Sequence, residues 1–181
     1  MYNMKKLTEY IETKDIIYLG DILPGEIVVD EKVRRYCKDN RCGEYNRNFT
    51  CPPDVGEVDD FKNRLKEFNS CIIVLTRHKI INKEDREEYF KPAKNLHKIL
   101  LDIEKKGKEL GFEKSIALIA GNCKICTPCK KMLGYKKCPY PELSRPSSES
   151  LGIDVIKTVA KKGLEIEFKD DEVTWVGMIL I

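Results

Sequence analysis

Histidine and tryptophan are nearly missing from this sequence: two and one, respectively, in 181 residues. A zinc site that mixes imidazole with thiolate has little to draw on. No apolar run reaches the length of a membrane-crossing helix. The start, Met1 to Lys6, leads into polar sequence without the apolar stretch of a signal peptide. The expected location is therefore the cytoplasm, where thiols stay reduced. Nucleotide signatures are absent too, with neither a G-x-G-x-x-G run nor a P-loop. So are the C-x3-C-x2-C pattern of radical S-adenosylmethionine enzymes and the Asp-x-His-x-x-Gly of a histidine-held corrinoid. Charge is balanced at a net +3. The basic segments lack the interleaved aromatics of an RNA module, so nucleic acid is a minor option as partner.

Cysteine is what the chain has. Seven of its eight cysteines fall in two groups. The second group reads C-x2-C-x2-C-x8-C-P: Cys123, Cys126, Cys129, Cys138 and Pro139. Three cysteines at strict three-residue spacing put three thiolates around one small volume, as at the start of the bacterial ferredoxin run. Zinc more often takes separated C-x2-C pairs. The spacing points to a [4Fe–4S] cluster, with zinc as the alternative. The first group is Cys37-x4-Cys42-x8-Cys51-Pro52-Pro53. Its last step repeats the eight-residue gap of the second group, and both groups end in Cys-Pro. Proline holds the preceding cysteine extended.

Cys71 opens an apolar run and reads as core, since free cysteine is among the most often buried residues. Seven ligands then remain, whereas two cubanes fully ligated by cysteine need eight. One arrangement is a complete cluster on the second group and a three-cysteine cluster on the first, its open iron free for substrate, sulfide or water. The other leaves the first group to zinc or to structure. Exchange of Cys51 and Cys138 between sites is a further arrangement, because the cysteine before proline serves the other cluster in two-cluster ferredoxins. One cluster is expected, and two are compatible with the count.

Charge differs around the groups. Between Asn122 and Pro141 there is no acid, but there are Lys124, Lys130, Lys131, Lys136 and Lys137. Cations beside thiolates favour the deprotonated ligand. Around the first group stand Arg34, Arg35, Arg41 and Arg47, half of the arginines in a lysine-dominated chain. Guanidinium forks suit carboxylate or phosphate. Arg34, Arg41, Arg47 and Arg145 are thus the candidate contacts for a small anionic substrate. Pairing with Glu31, Asp39 and Glu44 is the plain alternative for the first-group arginines. Tyr36, Tyr45 and Phe49 are placed to shield the site. His78 and His97 read as structural or surface residues.

Periodicity gives an α/β fold in a single domain over residues 1–181, with cysteine-rich segments at 34–56 and 121–146. A short helix is expected over 1–12, strands at 15–19 and 26–29, and a helix from Val58 to Phe68 with Val58, Phe61, Leu65 and Phe68 on one face. Cys71–Thr76 suits a strand buried on both faces. A long helix from about Lys83 to Leu110 follows, with a kink or a start near Pro92. Ser115–Ala120 is the next strand. Strand, helix and strand make a βαβ unit, which implies parallel pairing in a central mixed sheet. The cluster loop leaves the carboxyl end of that strand, where open α/β sheets place ligands. A helix over 149–162 capped by Ser147 or Ser148, and a terminal β-hairpin of 164–168 with 173–181, complete the expectation.

The stretches Tyr36-Cys37 to Cys51-Pro52-Pro53, Gly121 to Cys129, Cys138-Pro139, Arg145-Pro146-Ser147 and Gly152 to Val155 together carry a resemblance. The chain resembles a domain-of-unknown-function family of anaerobic bacteria and archaea described as predicted metal-binding proteins. The resemblance spans most of the chain and implies metal or iron–sulfur binding by both cysteine groups, but no particular reaction. The expected role is that of an iron–sulfur protein of anaerobic metabolism. It would act in electron transfer with a redox partner protein, or in catalysis or sulfur transfer at an open iron. The alternative is a zinc-stabilised binding or regulatory module. Oligomeric state is not legible.

Overall fold

The computed structural model describes residues 2–82 and 84–181; Met1 and Lys83, where two expected helices began, lie outside the described residues. Four strands, β1 (Tyr18–Ile22), β2 (Cys71–Lys79), β3 (Ile116–Leu118) and β4 (Glu172–Leu180), form one sheet in the order β1-β2-β4-β3. Around it lie α1 (Tyr2–Glu12), α2 (Glu31–Lys38), α3 (Val58–Leu65), α4 (Arg86–Glu109) and α5 (Val155–Ala160). The α/β class is the one expected.

Two-residue alternation sorts the strand side chains onto two faces. On one face Ile73, Leu75, Leu118, Met178 and Leu180 pack with Phe61 and Leu65 of α3 and Val159 of α5. On the other, Ile72, Val74, Ala117, Ile119 and Ile179 pack with Leu7 and Ile11 of α1 and Leu96, Leu100 and Ile103 of α4. Covering both faces is what makes β2 apolar at consecutive positions. On the second face α4 comes so close that a Cβ on Gly177 would lie 2.4 Å from a Leu100 methyl carbon. A glycine there permits the approach.

The strand pairing departs from the expected mixed sheet, because all three ladders are antiparallel. β2 and β3 do point the same way, joined by α4, so the strand–helix–strand unit exists. Its strands do not pair directly, because β4 lies between them. Parallel pairing among the described residues is confined to the bridge between Ile119 and Ser147. The terminal hairpin is absent for the same reason. Val176, Met178, Ile179 and Leu180 are all buried. β4 is therefore apolar on both faces and takes the centre of the sheet, paired with β2 from Cys71↔Leu180 to Lys79↔Glu172. Residues 164–168 form no strand, and the bridge between Lys169 and Glu172 is all that joins that segment to β4.

Two helices also differ from expectation. Pro92 sits inside α4, which runs on past it from its Asp85 cap. The helix expected over 149–162 is divided. A 3-10 turn, Glu149–Leu151, ends at Gly152 with φ +86°, and Asp154 then caps α5. No described helix is long and apolar enough to cross a membrane.

Candidate metal centre

After β3 the chain turns at Gly121, whose φ of +65° favours glycine. It enters the second cysteine loop there. Cys123, Cys126, Cys129 and Cys138 line one cavity together with Asn48, Phe49 and Thr50 of the first loop. Cys123 is buried and the other three are half-buried. Burial raises the Cys123 thiol above its ordinary range, and its three companions add to the effect, which places all four within electrostatic reach.

The first group forms where α2 ends. Cys37 lies in the last turn of that helix, with Cys42 and Cys51 in the turns that follow. Burial, with Glu44, Cys42, Cys37 and Cys123 adding to it, pushes the Cys51 thiol up to about 12. Burial also raises Cys37, with Cys42 next in effect. Cys37, Cys42 and Cys51 are thus within electrostatic reach of one another, and Cys51 of Cys123, while Cys42 is exposed and none of the three lines the thiol cavity. Three ties join the loops. Asn48 Nδ2 donates to the Cys123 carbonyl at 3.0 Å. The Cys123 N–H donates to Thr50 Oγ1 at 3.3 Å. Lys131 Nζ donates to Asn46 Oδ1 at 2.9 Å and also pairs with Asp54.

Cys71 stands apart. It is fully buried in the sheet core among Ile22, Phe68 and Leu180. Its thiol is also raised to about 12, but by burial alone, with no other cysteine contributing.

The arginines split into two kinds. Arg34 is buried, and its guanidinium donates to the carbonyls of Ser150 and Gly56. Arg145 forks onto the buried Glu104 carboxylate, both bonds 2.7 Å, and its remaining N–H groups reach the carbonyls of Pro141 and Ser144. Both guanidiniums are thus engaged by the protein itself. Arg41 and Arg47 are exposed. Pairing of the first-group arginines with Glu31, Asp39 or Glu44 is not found among the described residues. Tyr36 is 70% exposed and shields nothing, while Phe49 does line the thiol cavity. His97 is buried, its pKa lowered by burial, and it donates through Nε2 to the Leu143 carbonyl at 2.9 Å. That bond ties the end of the second loop to α4.

Two residues gain a prominence that sequence reading did not give them. Lys124 is half-buried, hydrogen-bonded to Asn122, with its ammonium 4.7 Å from the Phe90 ring centre. Burial lowers its pKa, opposed by Glu44, Cys123, Cys51 and Glu149. Glu149 opens the 3-10 turn with its carboxyl enclosed, and Oε2 is buried without a hydrogen-bond partner. Burial raises its pKa, against the backbone N–H groups of Glu149 and Gly121 and the hydroxyl of Ser147. In sequence an acid after two serines reads as a first-turn helix residue. No spacing signal distinguishes it from one.

The donor set suits a thiophilic metal, since the four second-group thiols line one cavity. No three His, Cys, Asp or Glu side chains among the described residues are arranged to hold a single ion. A cluster spreads its ligands around several atoms, so its cysteines need not meet on one point. The cavity itself is about 20 Å³, room for roughly one water.

A family model described as "Predicted metal-binding protein (DUF2284)" matches residues 20–181. The chain belongs to this family. Metal binding is the character predicted for that family, and both cysteine groups lie inside the matched region. No curated protein and no solved structure matches the chain.

Proposed function

We propose that this DUF2284 protein binds iron–sulfur clusters through its two cysteine groups and works in electron transfer within anaerobic metabolism. Cys123, Cys126, Cys129 and Cys138 would hold one [4Fe–4S] cluster, and Cys37, Cys42 and Cys51 would take part in a second centre. The cluster supplies one-electron chemistry, with a potential set by net charge, hydrogen bonds to sulfur and exposure. The observation that carries the reading is the convergence of all four second-group thiols on one cavity. Complete thiolate ligation leaves that centre no open iron, which suits electron transfer over catalysis. The rim agrees with this. Lys136 and Lys137 are exposed beside the exposed apolar residues Met132, Leu133 and Tyr135, a surface suited to an acidic redox partner. An anionic substrate is less well served, because Arg34 and Arg145 already have partners.

A second reading, catalysis on a small molecule, draws on one observation. A cavity of about 270 Å³ shares Phe49, Thr50 and Ser144 with the thiol cavity. The deciding experiment is anaerobic purification with iron, acid-labile sulfide and zinc analysis and electron paramagnetic resonance. Iron and sulfide in equal amounts, about four of each per cubane, support the reading. Stoichiometric zinc without sulfide refutes it.

A further inference from the structure

We propose that the cavity of about 270 Å³ beside the second cysteine group binds a small organic acid, its apolar body against the sheet and its carboxylate on the guanidinium of Arg64. The proposal goes beyond the iron–sulfur reading and needs no particular metal. Arg64 lies on α3, outside both cysteine groups, so no motif in the sequence points to it.

The cavity forms where the α3 face of the sheet runs out. β3 is an edge strand and only three residues long. Leu118 of β3 and Leu180 of β4 lie on that face, and with Phe61 of α3 and Leu151 they give the cavity apolar walls. The rest of the cover comes from two loops, with Phe49, Thr50 and Val55 from the first cysteine group and Ser144 and Pro146 from the end of the second. Pockets for drug-sized ligands begin at about 300 Å³, so this one suits a smaller molecule.

The polar groups of the lining set the charge of the ligand. Arg64 sits in the last turn of α3 and is exposed. Among the described residues its guanidinium pairs with no acid and meets no hydrogen-bond acceptor. Glu67, three residues on, pairs instead with Lys114 at 3.4 Å. Asp54, an acid in the lining, is held by Lys131. The Thr50 hydroxyl is taken, since it donates to Asn48 Oδ1 at 3.0 Å and accepts from the Cys123 N–H. The Ser144 hydroxyl has no partner among the described residues. One free guanidinium and one free hydroxyl beside apolar walls fit a monoanion with an apolar body. The fork matches the two oxygens of a carboxylate, whereas a phosphate dianion brings more charge than a single cation meets. A wider hollow of about 540 Å³ shares Arg64. It is the poorer site, because Glu67, Glu104, Lys108, Lys114 and Arg145 along it pair with one another.

The test is calorimetric titration of the anaerobically purified protein, with the metal it carries, and of Arg64→Gln and Ile116→Trp. The probes are hexanoate, hexanol and inorganic phosphate. Hexanoate should bind once per chain with a millimolar or tighter Kd, the scale that so few non-hydrogen atoms allow. R64Q should weaken hexanoate about tenfold, the lower end for a hydrogen bond to a charged group because Arg64 is exposed. Hexanol has the same apolar body without the charge, so its weaker binding should be equal in wild type and R64Q. I116W narrows the cavity and should abolish binding of both. Phosphate should not displace hexanoate at equal concentration. No saturation by hexanoate, equal affinity in R64Q, or full affinity in I116W overturns the proposal. So does displacement by phosphate, which would mark Arg64 as a contact for any anion. Arg64 is exposed and unpaired, so R64Q keeps the fold and decides the matter if I116W does not accumulate. Zinc without sulfide in the same protein would refute the iron–sulfur reading and leave these titrations standing.

Discussion

Replacing Arg145 by alanine should cost the fold more than any other single arginine, and the size follows from Glu104. That carboxylate is 3% exposed and accepts two 2.7 Å bonds from the Arg145 fork. It also accepts from the Ala117 N–H at 2.8 Å, and Lys108 pairs with it. Burial alone would raise its pKa; Arg145, Lys108 and the Ala117 N–H outweigh that and hold it below the usual carboxylate range. Removing one partner of a buried pair costs about 3–5 kcal/mol, because a charge is left uncompensated. Lys108 and Ala117 remain, so the lower end, about 3 kcal/mol, is expected for Arg145→Ala. With an m-value of about 2–3 kcal/mol/M, the urea midpoint should fall by roughly 1–1.5 M at pH 7. The assay is urea unfolding of wild type, R145A, E104Q and the double variant at matched metal content. Because Glu104 is held low, its contribution is complete above the unfolded carboxylate pKa of about 4.3 and is lost as pH falls through the folded value. The gap between wild type and R145A should therefore narrow in acid. In the double variant much of the loss should return, since the stranded charge is gone. A midpoint shift in R145A within error of zero, or additive losses in the double variant, would refute this reasoning and free the Arg145 fork for an anion.

Two further outcomes are expected. Cys71→Val should leave metal content unchanged while Cys51→Ala depletes it, both measured on anaerobically purified protein; equal depletion would make Cys71 a ligand after all. Hydrogen exchange in metal-free protein should be fast across 121–141 and slow in β2 and β4, and metal should slow the loop, because that segment has little core of its own. Equal loop protection with and without metal would count against coupling of binding to folding.

Much of the fold was legible because burial writes periodicity into sequence. Val58, Phe61 and Leu65 mark one helix face, and the apolar run at Cys71–Thr76 marks a strand covered on both sides. Pairing was not legible. Residues buried on both faces suggested parallel neighbours, yet β4 is equally apolar and comes last in the chain. Nothing local records that it inserts between β2 and β3. The thiol groups were legible from spacing alone. The roles of the arginines were not, because charge shows in sequence but its partner does not. Arg34 meets two carbonyls 22 and 116 residues away in sequence. The burial of Glu149 Oε2 was hidden for the same reason.

On the proposed reading, the two centres form one device, joined through the wall between them. Asn48, Phe49 and Thr50 belong to the first loop, yet they line the cavity of the second group. Asn48 and Thr50 hold the backbone of Cys123 itself. Cys51 and Cys123, one from each group, feel one another's charge. The half-buried ammonium of Lys124 stands within the field of both. Charges near each other in a low-dielectric interior interact far more strongly than in water. An electron added to one centre would therefore be felt at the other and by the lysine they share. Two structural metals stapling separate loops would have no use for that arrangement. A pair of centres that passes electrons would.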